Sequence, residues 1–279
     1  MLFLCMAVLS TALVSIIMRL STGRITHNLG MLTMNYIVCT LLSGFLGGYQ
    51  GTLNLADPRI GTVLLMGTVN GALYLMGFVL MQMNVRKNGV VLSSIFQKLG
   101  LLVTLVISVV FYKEIPDLLQ SFGFVIAVFA IVMMNYRKGG EKIGSRAALI
   151  GMLLSCGMAD AMSKIFTESG AQALEGQFLF YTFAVAMGLA AVFMKSKGQK
   201  IGRQEILFGT LIAIPNFFCS MFLLGALESL SAVVVYPVFS VGGILVVTLA
   251  GILVFRERLT RQQWIGVGAI LAALVLLNV

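Results

Sequence analysis

Runs of about twenty apolar residues follow one another from Leu2 almost to the carboxyl end, separated by short polar turns. Wound as a helix at about 1.5 Å per residue, one such run spans the ~30 Å hydrocarbon core of a bilayer. Lipid offers no partner to a bare backbone N–H or C=O, so only helices and closed barrels cross it. Barrel strands would alternate in polarity over about ten residues, and the runs show no such alternation. With 59% hydrophobic and 10% charged residues among 279, the chain also lacks the polar surface a soluble domain needs. The sequence therefore predicts an all-α polytopic membrane protein.

The runs divide into ten spans, roughly 2–20, 28–48, 59–83, 88–111, 117–136, 146–168, 173–194, 204–228, 231–254 and 261–279. Breaks fall at turn and charge signals such as Arg86-Lys87-Asn88-Gly89 and Glu114-Ile115-Pro116-Asp117. The loops leave no room for an inserted soluble domain. The first run has no basic leader and no small-residue cleavage site, so no cleaved signal peptide is expected.

The chain repeats itself. Shifted by 143 positions, Lys113-Glu114 falls on Arg256-Glu257, Gln120 on Gln263, Gly123 on Gly266 and Asn135 on Asn278; Phe96 and Gly100 fall on Phe239 and Gly243. At an offset of 146 Asn70 falls on Asn216, and at 145 Ser10 falls on Ser155. Two repeats, 1–138 and 139–279, thus hold five spans each. An odd number of crossings turns the second upside down relative to the first, an inverted repeat of the kind common in secondary transporters. Fifteen Lys and Arg gather on one face, Arg24, Lys87 and Lys195–Arg203 among them; Arg59, Lys113 and Lys164 lie on the other. The positive-inside rule puts the fifteen in the cytoplasm and both termini outside. The net charge of +9 is then an orientation signal, with attraction to anionic headgroups, and no basic soluble domain exists to bind nucleic acid.

Several chemistries are excluded by what is missing. Cys5, Cys39, Cys156 and Cys219 show no metal-ligand spacing and read as buried, inert thiols. His27 is the single histidine, so neither a His-based metal site nor a Ser–His–Asp set is available. No phosphate-cradling loop is present, and no residue set calls for a cofactor. The chain is expected not to be an enzyme.

Intramembrane polarity supplies the candidate site. Charge in the bilayer centre is expensive and generally faces a bundle interior with a partner. Span 4 carries Ser94, Gln97 and Lys98 on a polar stripe; span 6 carries Asp160 and Lys164. Asn70 and Tyr74 in span 3, Asn216 in span 8, and Tyr236 and Ser240 in span 9 complete the set. For the uncharged members, helix-packing hydrogen bonds are the competing role. From Asn88 to Lys98 is about 15 Å of helix rise and from Arg146 to Asp160 about 21 Å, so the two charges lie at similar depth. One reading pairs Lys98 with Asp160 in an empty cavity and with an anionic substrate group in a filled one. The competing reading has Lys164 satisfy Asp160 from one turn along, leaving Lys98 a fixed structural cation. Glu114 and Glu257 sit at turns, where an ion pair or helix cap between neighbouring helices is the expected role.

The motifs Phe111-Tyr112-Lys113-Glu114…Gln120-x-x-Gly123 and Phe255-Arg256-Glu257-Arg258-Leu259-Thr260…Gln263-Trp264-x-Gly266, with Tyr236-Pro237, resemble those of the drug/metabolite transporter superfamily, in its EamA-like branch. The first copy departs from the pattern, with Ile115-Pro116-Asp117 after Glu114 and Ser94 at the proline position. The resemblance implies an alternating-access secondary transporter with a central cavity formed mainly by spans 1, 3, 4, 6, 8 and 9. The expected function is carriage or export of a small polar metabolite, such as an amino acid or related organic solute. A membrane-embedded binding or scaffold protein, or a multidrug exporter of the same superfamily, are the alternatives. Expected partners are the solute and the lipid bilayer of the plasma or inner membrane, with protons or a counter-substrate as candidate coupling species. A monomer or a homodimer would serve.

Overall fold

The computed structural model describes residues 1–48, 57–135, 145–253 and 261–277. All regular structure among these residues is helical. In order the helices are α1 Leu2–Ser21, α2 Asn28–Gly48, α3 Ile60–Lys98, α4 Leu101–Tyr112, α5 Leu118–Asn135, α6 Arg146–Glu168, α7 Glu175–Ser196, α8 Arg203–Leu227, α9 Ala232–Leu253 and α10 Arg261–Leu277. A one-turn 3₁₀ helix, Gln172–Leu174, leads into α7. Eight stretches are long and apolar enough to cross a bilayer; α5 and α10 are shorter apolar helices. The chain is a multi-pass membrane protein.

The break expected at Arg86–Gly89 is absent as a loop: helix runs unbroken from Ile60 to Lys98 and stops instead at Leu99-Gly100. A straight helix of 39 residues would be about 58 Å long, nearly twice the hydrocarbon thickness. Its contacts with α6 show that it is not straight. Gly77 lies by Cys156, Asn84 donates to the Ala148 carbonyl and Asn88 to that of Ser145, so this leg runs antiparallel to α6. Yet Gly100 lies against Gly157, and Glu114 meets Lys164. The path therefore doubles back close after Asn88, and the second leg runs parallel to α6. Asn88 holds the reversal from both sides, donating to the Ser145 carbonyl and accepting the Ser145 N–H. Two spans are present, but the corner between them is helical.

The remaining packing is ordered in the same way. α1 runs antiparallel to α8, with Phe3 against Gly225 and Cys219 donating to the Ala7 carbonyl. α2 runs parallel to α8, with Met31 and Met34 at Gly209 and Cys39 at Ala213. α3 runs parallel to α7, with Gly67 at Phe178 and Gly71 at Thr182. α5 and α10 are antiparallel, Gly123 meeting Leu276 and Gln262 donating to the Met133 carbonyl. Among the described residues, Met1 and Leu277 lie at the same end of the bundle as Glu114 and Glu168. The basic turns at Arg24, Lys87 and Lys195–Arg203 lie at the other.

Two aromatic-rich cores hold the bundle. Phe166 stacks on Phe178 at 4.3 Å, and Phe183 gathers Tyr36, Tyr74 and Phe217 around it. The second core joins α1, α5, α9 and α10 through Leu4, Ala127, Ile131, Tyr236 and Ile270. At the basic end, buried Glu205 accepts the N–H groups of Thr26, His27 and Gly202, and Gln199 accepts that of Leu29, tying the α1–α2 turn to the start of α8.

Candidate functional site

Lys98 is placed by a glycine contact. α3 ends at Lys98 because the chain turns at Leu99-Gly100, and Gly100 packs on the backbone of Gly157. A Cβ on Gly157 would run into the Gly100 carbonyl oxygen, so the approach depends on its absence. Thr104, one turn into α4, donates to the Gly157 carbonyl at 3.1 Å and fixes the register. Asp160 follows Gly157 by nearly a turn on α6. The turn after Lys98 is thus anchored beside the carboxylate.

Lys98 and Asp160 are close enough to feel each other's charge, and both act on Cys156 and Cys219 as well. Both residues are partly exposed. Among the described residues they make no ion-pair contact within 4 Å. Two opposite charges at membrane depth are thus neighbours that do not close on each other.

Lys164, four residues beyond Asp160, is in the opposite condition. It is 1% exposed, donates to Glu114 at 2.6 Å and to Glu168, and lies 5.6 Å from the centre of the Tyr112 ring. Glu114 also accepts the N–H of Ala232 at 2.8 Å, capping the first turn of α9. The reading in which Lys164 satisfies Asp160 is overturned, because two other carboxylates hold its ammonium. Lys164 lies toward the end opposite the basic turns, where the charge count put it, but buried rather than solvated. Glu114 does combine the expected ion pair and cap, joining α4, α6 and α9. Glu257 lies outside the described residues.

The other candidates divide. Tyr74 lies within electrostatic reach of Asp160, Cys219 and Cys39, so it belongs beside the charge pair. Tyr236 is buried, and its hydroxyl donates to the backbone carbonyl of Asp160, which makes it a tether between α9 and α6. Asn216 Nδ2 reaches Asn35 Oδ1 at 3.4 Å and Cys39 Sγ at 3.7 Å, a step away toward α2. Asn70 is 1% exposed, and its Oδ1 has no hydrogen-bond partner among the described residues. Ser240 is buried one turn beyond Tyr236. Gln97 is exposed. The Ser94 side chain lies outside the described residues.

The cysteines are less uniform than expected: Cys5 is exposed, Cys39 is buried, and Cys156 and Cys219 are half-buried next to the charge pair. Sequence reasoning passed over Asn35, Tyr36 and Phe183, which carry no periodic or motif signal distinguishing them from core. Glu205 had a usable signal, the spacing Gly202-x-x-Glu205 at a helix start.

The family signature of the EamA-like transporter family matches residues 1–136 and 145–279. The chain belongs to the EamA-like transporter family. It is thereby a member of the drug/metabolite transporter superfamily, a membrane transporter by family. An uncharacterised protein of Haemophilus influenzae is 24% identical over 278 residues, covering 95% of this chain and 93% of its own. A protein known from a crystal structure superposes with a TM-score of 0.76 at 12% identity, covering 99% of this chain and 94% of its own, which shows the shared fold. In this family frame, Gln120 forms a reciprocal cap with Asp117 at the start of α5, and Gly123 lets α5 approach α10.

Proposed function

We propose that this EamA-like transporter is an alternating-access carrier for a small polar solute bearing an anionic group, with Lys98 as the substrate's counter-ion. The observation that carries the reading is the open Lys98–Asp160 pair. Charges at membrane depth are generally paired, and those left apart mark a pathway. Tyr74 lies beside the pair, and Asp160 is the group that competes with the solute for Lys98.

The ten-span inverted repeat belongs to this proposal. Exchanging α1–α5 with α6–α10 carries each observed packing onto another of the same sense: α1 on α8 becomes α6 on α3, and α2 on α8 becomes α7 on α3. It also carries α5 on α10 onto itself. The Lys164–Glu114–Ala232 contacts close the bundle at the end that holds both termini. By the positive-inside rule that end faces away from the cytoplasm. Reversible opening of these contacts, with a proton or a counter-substrate setting the direction, would give transport; a single chain suffices for the pathway.

The test is counterflow in proteoliposomes with a panel of radiolabelled amino acids and related carboxylates. The parent accumulates label down an exchange gradient, and Lys98→Met, folded and monodisperse, does not. Equal counterflow by Lys98→Met removes Lys98 from the substrate site. No counterflow of any solute that stabilises the parent removes the carrier reading itself.

A further inference from the structure

A chamber of about 480 Å³ lies between α1, the start of α2 and the first leg of α3, at the end that carries the basic turns. That is a size in which small ligands bind. Its walls include Met18, Met31, Met81 and Phe78, and its polar groups include Ser21 and Gln82. Thioethers make an apolar wall that adapts to different shapes. Ser21 is satisfied by the Met18 carbonyl. The Nε2 of Gln82, by contrast, is buried and has no hydrogen-bond partner among the described residues. A buried donor left without an acceptor is costly; Gln82 lines the chamber but its Nε2 is closed off from it, so a ligand reaches that donor when the side chain turns toward the open space.

The chamber lies on the approach to the charge pair. Leu80 rests on Gly151 and Asn84 on Ala148, whereas Gly100 rests on Gly157. Gln82 thus sits about 8 Å nearer the basic end than Lys98. Exposed Arg24, next to Gly23 on the rim, and exposed Lys87 favour a negative end on whatever enters.

We infer that this chamber is a second ligand site, a vestibule for a small amphipathic solute whose apolar part lies on the methionines and whose carboxylate or carbonyl oxygen accepts the Gln82 amide N–H. Its place on the transport path rests on the carrier reading; the binding itself does not. The shared chemistry, an apolar chain ending in an oxygen acceptor, also belongs to lipid, and the test separates the two sources.

The probe is hexanoate, compared with hexylamine, on full-length cysteine-free protein carrying Lys98→Met and a single reporter, Thr22→Cys. Removing Lys98 eliminates the central counter-ion, so binding is read whether or not the carrier reading holds. Hexanoate is expected to slow N-ethylmaleimide labelling of the reporter several-fold, hexylamine to leave it unchanged, and Gln82→Leu to abolish the protection. Met81→Cys serves as a second reporter on the opposite wall, so a poorly folded variant does not decide the outcome. Absence of protection at both reporters, equal protection by hexylamine, or protection that survives Gln82→Leu would each overturn the site. A reporter already blocked in phospholipid nanodiscs and freed in lipid-free micelles would assign the chamber to a lipid chain instead.

Discussion

Asp160 and Lys164 sit one turn apart on α6, and the lysines they bear upon are held in opposite ways. Lys164 is buried, with two carboxylates and an aromatic face around it, and the carboxylate of Glu114 is itself shared with the first N–H of α9. Lys98 lies near Asp160 without an ion-pair contact, and both residues are partly exposed. A buried ion pair that satisfies its remaining hydrogen bonds fixes helices in place, while its desolvation cost limits the net gain. An open pair of the same composition holds nothing together and is available to a ligand. Charge at membrane depth therefore does not by itself mark a site. Saturation of the charge distinguishes the two.

The largest contrast should appear in stability. Lys164→Met strands Glu114 and Glu168 and is expected to cost about 3 kcal/mol, the range for breaking a buried pair from one side. Thermal unfolding in detergent checks this. Lys98→Met removes an unpaired charge from the membrane interior and is expected to leave the midpoint unchanged or raise it. A large loss for Lys98→Met would mean that it too is a structural cation.

Next in size is Gly157→Ala. The added methyl meets the Gly100 carbonyl and Val103, and overpacking of this kind costs about 1–3 kcal/mol. Because it moves the turn after Lys98, counterflow should fall by more than the loss of folded protein explains. Gly188→Ala, where a Cβ meets open space, is the control: it should leave counterflow unchanged and raise stability by about 0.5–1 kcal/mol, the gain of alanine over glycine within a helix.

Tyr236→Phe should cost about 1 kcal/mol, the net worth of one hydrogen bond to the Asp160 carbonyl. It should not abolish transport, since its hydroxyl faces backbone. Complete loss of counterflow with an unchanged midpoint would restore Tyr236 to the substrate site.

The smallest effect concerns the turn that presents Glu114. Lys113 caps α4 in the left-handed region, at φ 56°, which favours glycine. Lys113→Gly should stabilise the protein by about 0.5–1 kcal/mol, relieving that strain at some cost in unfolded-state entropy. A destabilised variant would show that the lysine side chain contributes more than the turn.

Much of this was legible in the sequence because it follows from solvent and counting. Apolar run lengths give the spans, and residue counts from the basic end place Lys98 and Asp160 at similar depth. Gln120, repeated at Gln263, marks a cap with Asp117 whose geometry is local. The corner after Asn88 was not legible. Arg86-Lys87-Asn88-Gly89 has turn composition, but Asn84 and Asn88 hydrogen-bond to the start of α6, and those contacts stabilise a helical corner. The choice between the two pairings of Asp160 stayed open in the sequence for a similar reason: Glu114, which holds Lys164, is 50 residues away, and no periodicity links them. Phe183 and Tyr36 look like any other core aromatics until four helices bring them beside Tyr74.

The contrast between the two lysines is tested most directly by a pair of double-mutant cycles on unfolding free energy, which need no substrate. The Lys164→Met/Glu114→Gln cycle is expected to show a coupling of about 2 kcal/mol, and the Lys98→Met/Asp160→Asn cycle well under 1 kcal/mol. A coupling at Lys98–Asp160 as large as that at Lys164–Glu114 would contradict the account, because the open pair would then be a structural bond.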